Sequence, residues 1–192
     1  MTTKSQLSVL QLVYPPITNQ EAHWLQDDRD VEAILRQSDF YLIGGRCEAE
    51  FVDFQFDHAT GDIGFEIRLK SGLSDSGVLR VMELPGVVEA NCSSCELELG
   101  DKLIRIWDRA KDQPGAKVIE WFTTDAMLVY RARNRAGIYG LDSHREFLTF
   151  ELFYVGIAKK GDSFDRLIRS GHKKRLEILS NEPQKHPQSR VA

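Results

Sequence analysis

The sequence predicts an α+β protein: an antiparallel, β-rich N-terminal domain with a covering helix over residues 1–130, followed by a small α/β unit over 131–192. Three observations predict it. From Cys47 to Lys70, apolar residues recur at every second position on both sides of a turn, the period of a half-buried strand. Further short apolar segments follow between turns that carry Gly or Pro. Two stretches, after Thr18 and after Asp162, repeat apolar residues at helical spacing instead.

Leu7 to Tyr14 alternates and stops at Pro15-Pro16, residues that cannot continue a ladder, so a first strand is expected there. Thr18 with Glu21 three positions on is a capping box, and Trp24, Val31, Ile34 and Leu35 carry the helix to Gln37. Phe40–Ile43 reads as a short strand closed by Gly44-Gly45. Val52, Phe54 and Phe56 then face one way, Ile63, Phe65, Ile67 and Leu69 line the partner strand, and His58-Ala59-Thr60-Gly61-Asp62 joins them as a hairpin. Strands are expected at Val78–Leu84, Cys95–Leu99 and Leu103–Trp107. Lys117–Tyr130 fits neither period cleanly and leans to helix. Arg131–Asp142, rich in Arg and Gly, reads as a basic connector. Phe147–Ala158 is a buried strand, and Asp162 or Ser163 caps a helix whose apolar face is Phe164, Leu167, Ile168, Leu176 and Leu179.

With 42% hydrophobic and 28% charged residues in 192, the chain has the composition of a folding protein, which excludes disordered and fibrous classes. No apolar run reaches the roughly 18 residues of a membrane span, and the first residues lack a secretory pattern. A cytoplasmic protein with no membrane association is expected. Three cysteines, an odd number, argue for reduced thiols.

The net charge of −4 conceals an asymmetry. Residues 1–130 hold 12 Lys+Arg against 22 Asp+Glu, net −10, and residues 131–192 hold 13 against 7, net +6, which together recover −4. A basic end on an acidic body fits contact with a polyanion, and it fits equally an attraction between the two parts of the chain.

Among motifs, Cys92-Ser-Ser-Cys95 is half of a zinc or thiol-redox pattern, and its completion is missing, so a turn holding two thiols is the favoured reading. Gly44-Gly45-Arg46 lacks the rest of a phosphate loop and reads as a tight turn. His23 and His58 have no Ser or Cys partner assignable by spacing and are read as structural.

The C-terminal segment is richer. Tyr154 places a phenol at a strand end, Gly156 removes a side chain where a phosphate could approach, and Arg166 on the next helix can hold two phosphate oxygens. His172 can move a proton, and Lys159, Lys160, Arg169, Lys173, Lys174 and Arg175 add positive potential for nucleic-acid contact. The structural alternative is that Tyr154 is a core aromatic, Gly156 a bulge, and Arg166 the helical partner of Asp162.

The string Tyr154-Val155-Gly156 through Phe164-Asp165-Arg166, with Gly137-Ile138-Tyr139 before it and His172 after, resembles the GIY-YIG nucleases over about residues 137–180. The resemblance implies a small unit with a three-stranded antiparallel sheet that cleaves phosphodiesters with Mg²⁺ or Mn²⁺. It implies that Tyr154 helps activate water, Arg166 stabilises the scissile phosphate and His172 lies near the leaving side. Its metal is held by a Glu on a later helix; Glu177 and Glu182 are the acids that follow Arg166 here, and the ligand stays unassigned. Two readings therefore stand. One is a nucleic-acid-binding protein with a metal-dependent cleaving unit. The other is a non-enzymatic interaction protein in which the N-terminal sheet binds a protein partner or a second copy and the basic end is a docking surface.

Overall fold

A computed structural model describes residues 10–92, 94–158, 162–169, 177–178 and 189–191. The fold is α+β, and every strand pairing among the described residues is antiparallel. In chain order the helices are α1 (Asn19–Leu25), α2 (Arg29–Leu35), α3 (Pro85–Glu89), α4 (Thr124–Ala132) and α5 (His144–Phe147). The strands are β1 (Phe40–Cys47), β2 (Ala49–Phe56), β3 (Ile63–Leu69), β4 (Ser74–Leu79), β5 (Glu96–Leu99), β6 (Leu103–Trp107), β7 (Val118–Thr123), β8 (Ile138–Gly140), β9 (Glu151–Ile157) and β10 (Ser189–Val191). Among the described residues they form three sheets, ordered β10-β1-β9, β2-β3-β4-β8 and β5-β6-β7.

The four-stranded and β5-β6-β7 sheets share one core with α4. Ile63, Ile67, Leu79, Leu84, Ile104, Ile106, Phe122, Met127 and Leu128 are all buried in it. The β3 pattern holds as expected, with Ile63, Phe65, Ile67 and Leu69 inward, while the buried face of β2 is Ala49 and Phe51 rather than Val52, Phe54 and Phe56. The pairing shifts between Val52 and Gln55, where Asp53 has φ 54°, so a bulge changes which residues face the core.

The capping box forms as expected: the Glu21 N–H donates to the Thr18 hydroxyl and the Thr18 N–H to the Glu21 carboxylate. The helix does not run unbroken to Gln37. Asp28 accepts from the N–H groups of Asp30 and Val31 and starts α2 as a second helix, leaving Trp24 exposed. The helix that covers the main core is α4, which packs on β2, β7 and β8. The ambiguous 117–130 stretch is β7 followed by α4, divided where Thr123 accepts from the Ala126 N–H.

Three further expectations change. The described part of 7–14, residues 10–14, is not a strand, and Leu10, Leu12 and Val13 are exposed there. The strand expected to end at Leu84 stops at Leu79; a 3-10 turn (Val81–Glu83) follows, and Pro85, whose fixed φ suits a first helical position, starts α3. Gly44-Gly45 is no turn, because β1 runs through it. The pairing with β9 shifts there, and a Cβ on Gly44 would lie 2.9 Å from the Glu151 carbonyl oxygen, so the close approach of β9 requires glycine.

The expected boundary at 130/131 falls inside α4, and strands on either side of it pair: β8 with β4, and β9 and β10 with β1. The sheet built on β1 has its own small core, in which Phe153, Tyr154, Leu167 and Ile178 pack around buried Tyr41 and Ile43.

Candidate functional site

Tyr154, Gly156 and Arg166 meet at one residue, Tyr41. On β9, Tyr154 lies opposite Ile43 and Gly156 opposite Tyr41. A Cβ on Gly156 would stand 2.3 Å from the Tyr41 ring, so Gly156 admits that phenol. The Tyr41 and Tyr154 ring centroids are 6.1 Å apart. Arg166 comes in from a π-helical segment, Asp165–Arg169, and its Nε donates to the Tyr41 hydroxyl at 3.3 Å.

The segment is held by its own acids. Asp162 accepts from the Asp165 N–H at 3.0 Å, as expected of the cap. Arg36 then takes both Asp162 and Asp165, and also Glu32 at 2.7 Å. Hydrogen bonds donated to Asp165, Glu32 and Asp162 hold Arg36 firmly protonated. Burial pushes the Asp162 carboxyl up, but the Asp165 N–H and Arg36 outweigh it and leave it below the usual carboxylate range.

Arg166 is therefore not the ionic partner of Asp162. It is exposed, and no carboxylate among the described residues pairs with it. Arg169, also exposed, lies 3.8 Å from Glu32 and 3.6 Å from Asp165 and is partly neutralised. His172, Lys159, Lys160, Lys173, Lys174 and Arg175 lie outside the described residues.

The other motifs resolve locally. Gly137-Ile138-Tyr139 runs onto β8, in a different sheet from Tyr154-Val155-Gly156, and its Tyr139 hydroxyl donates to Glu83 beneath the Arg80 guanidinium. Arg46 pairs with Asp125 at 2.6 Å, both side chains buried. Cys92 donates to the carbonyls of Ser94 and Asp108, and burial, then Cys92, pushes the Cys95 thiol up to about 12. A thiol held protonated is a poor nucleophile. His58 packs edge-on against Phe56, and His144 hydrogen-bonds the Leu141 carbonyl.

Among the described residues no group of three or more His, Cys, Asp or Glu is arranged to hold a metal ion. The nearest carboxylates to Arg166 in sequence, Asp162 and Asp165, are engaged by Arg36. These residues do not fit a divalent-metal site, whereas an exposed arginine beside two phenols can bind an oxyanion.

Sequence reasoning missed Tyr41 and Arg36. Arg36 stands four residues after Glu32, a readable helical pair, but its reach to residues 162–165 is tertiary. Tyr41 sits in a four-residue apolar run with nothing to set it apart until β9 is paired with it.

Compared with family models, with curated proteins and with solved structures, the chain gives no significant match to any.

Proposed function

We propose that this chain is a nucleic-acid-binding protein that engages backbone phosphate through Arg166, positioned on the Tyr41–Tyr154 face. The observation that carries this reading is the division of charge around the π-helical segment. Arg36 takes the two neighbouring acids, and Arg166 keeps an exposed guanidinium with a phenol as its described partner. Such a guanidinium offers paired N–H groups in the geometry of phosphate oxygens. The basic balance of residues 131–192 supplies long-range attraction for the same polyanion.

Phosphodiester cleavage with Mg²⁺ or Mn²⁺ is what the GIY-YIG resemblance adds, with Tyr154, Arg166 and His172 in the roles it implies. The described residues do not assemble a metal site, and no catalytic step is assigned through one. A plasmid-nicking assay with either metal, alongside a binding assay, separates the two levels. Nicking that Arg166→Ala abolishes supports the nuclease reading. Binding without nicking supports phosphate contact alone, and neither activity removes both.

The second reading, a non-enzymatic interaction protein, is favoured by β9 as an edge strand. Among the described residues β1 is the strand that pairs with it, and Leu152, Val155 and Ile157 are exposed along it. An apolar edge of this kind is a template for a strand from a partner or a second copy. Three free thiols, with no helix long and apolar enough among the described residues to cross a membrane, fit a cytoplasmic location.

A further inference from the structure

A cavity of about 140 Å³ lies between the segment before α1 and the corner where β7 meets α4. Tyr14, Glu21, Glu120, Trp121 and Tyr130 are on its wall. An apolar cavity of similar size, about 150 Å³, accepts a benzene-sized guest, so a group of roughly five or six heavy atoms fits.

The charge on this wall is uneven. Glu120 is buried but compensated: one of its oxygens accepts from the Gly86 N–H at 2.8 Å and from Arg135 at 2.6 Å. Glu21 is only 4% exposed, and one oxygen accepts the Thr18 N–H at 2.7 Å. Its second oxygen takes no hydrogen bond, and no Lys, Arg or His pairs with it among the described residues. That oxygen is not sealed off from water, so on the cavity wall it is a free acceptor that a cation entering the cavity can reach.

The rest of the wall suits a cation. Tyr14, Trp121 and Tyr130 bring aromatic rings to it, and the Tyr130 ring already accepts the Arg135 guanidinium 4.5 Å from its centroid. The field is negative: burial first, then Tyr130, Asp28 and Glu21, keep the Tyr14 phenol protonated well above its usual range. An anion would meet two carboxylates here, and an uncharged guest would leave Glu21 uncompensated.

We infer that this cavity binds an alkylammonium group, with the charge against Glu21 and the methylenes along Tyr14 and Trp121. The chemistry is shared by a free aliphatic amine and by the lysine side chain of a partner protein. This site is separate from the Arg166 face and stands whatever that face binds.

The test is a ¹⁵N–¹H NMR titration of the full chain with three probes: n-butylammonium, N-acetyl-lysine methylamide and, as the uncharged isostere, 1-butanol. The Trp121 indole and the amides of residues 19–25 and 118–132 are followed. Saturable millimolar binding of an ammonium probe is expected, with 1-butanol weaker by about tenfold or more, the worth of one charge-assisted hydrogen bond. Tighter binding of the lysine derivative assigns a partner's side chain; tighter binding of butylammonium assigns a free amine. Glu21→Gln keeps an acceptor for the Thr18 N–H and should weaken butylammonium by a similar factor. No saturable shift with either ammonium, 1-butanol binding as well as butylammonium, or undiminished binding by Glu21→Gln would overturn the assignment. The comparison of amine with alcohol uses the native chain and needs no variant.

Discussion

Arg36 grips Asp165 through two hydrogen bonds, 3.2 Å from Nη1 to one carboxylate oxygen and 3.1 Å from Nη2 to the other, between residues far apart in sequence. A bidentate pair fixes orientation as well as distance. Asp165 immediately precedes Arg166, so this grip sets where the guanidinium of Arg166 emerges and keeps two carboxylates from reaching it.

Arg36→Ala should therefore weaken polyanion binding without touching the polyanion. Freed Asp162 and Asp165 would compete for Arg166, a surface-strength effect of about two- to fivefold in affinity. The Asp162 carboxyl should titrate higher in the variant, because burial is left opposed only by backbone N–H groups. Its native pKa is depressed, so its stabilisation is present above the ordinary carboxylate range and lost as pH falls through the native value. Carboxyl ¹³C titration and oligonucleotide anisotropy measure the two effects.

Gly156→Ala should destabilise the protein by about 1–3 kcal/mol, since the added methyl would stand 2.3 Å from a ring that is 5% exposed. Gly64→Ala is the control. Its Cβ would meet Gln55 at an ordinary 3.6 Å, and its cost should stay within about 0.5 kcal/mol. Urea unfolding of both variants makes the comparison.

The buried Arg46–Asp125 pair ties β1 to α4, with side chains 7% and 6% exposed. Asp125→Ala should cost about 3–5 kcal/mol, because it strands a buried guanidinium whose Nε already lacks a partner. Replacing both residues with apolar ones of similar volume should recover most of that loss in the same unfolding measurement.

Glu48 is held at about 2 by hydrogen bonds from Lys70, at 2.5 Å, and Lys102, at 2.9 Å. A depressed carboxylate stabilises the fold above its ordinary pKa, and that contribution fades as pH falls from about 4.5 towards 2. The stability gap between the native chain and Glu48→Gln, about 1 kcal/mol after solvent screening, should be constant at neutral pH and close across that window.

How much of this was legible in the sequence depended on how local each cause was. The Thr18–Glu21 box, the β2–β3 hairpin and Leu103–Trp107 were readable because their signals lie within a few residues. Where one residue redirected the chain, periodicity misled: the bulge at Asp53 changed the buried face of β2, and Asp28 divided a helix that apolar spacing ran together. Tyr154, Gly156 and Arg166 were named from spacing, but Tyr41 and Arg36, which bring them together, depend on contacts more than 110 residues away in sequence, which no local pattern encodes.

The central claim is that Arg166 contacts phosphate, and its most direct test is the salt dependence of binding to a fluorescent oligonucleotide. The native chain and Arg166→Ala are compared by anisotropy, with exposed Arg68, which is paired to Asp53 and Glu66, replaced as the control. Loss of one phosphate contact should weaken Arg166→Ala and reduce the slope of log K against log salt by about 1, while Arg68→Ala behaves as native. Equal slopes and affinities for the native chain and Arg166→Ala, or no binding by the native chain at low salt, would contradict it.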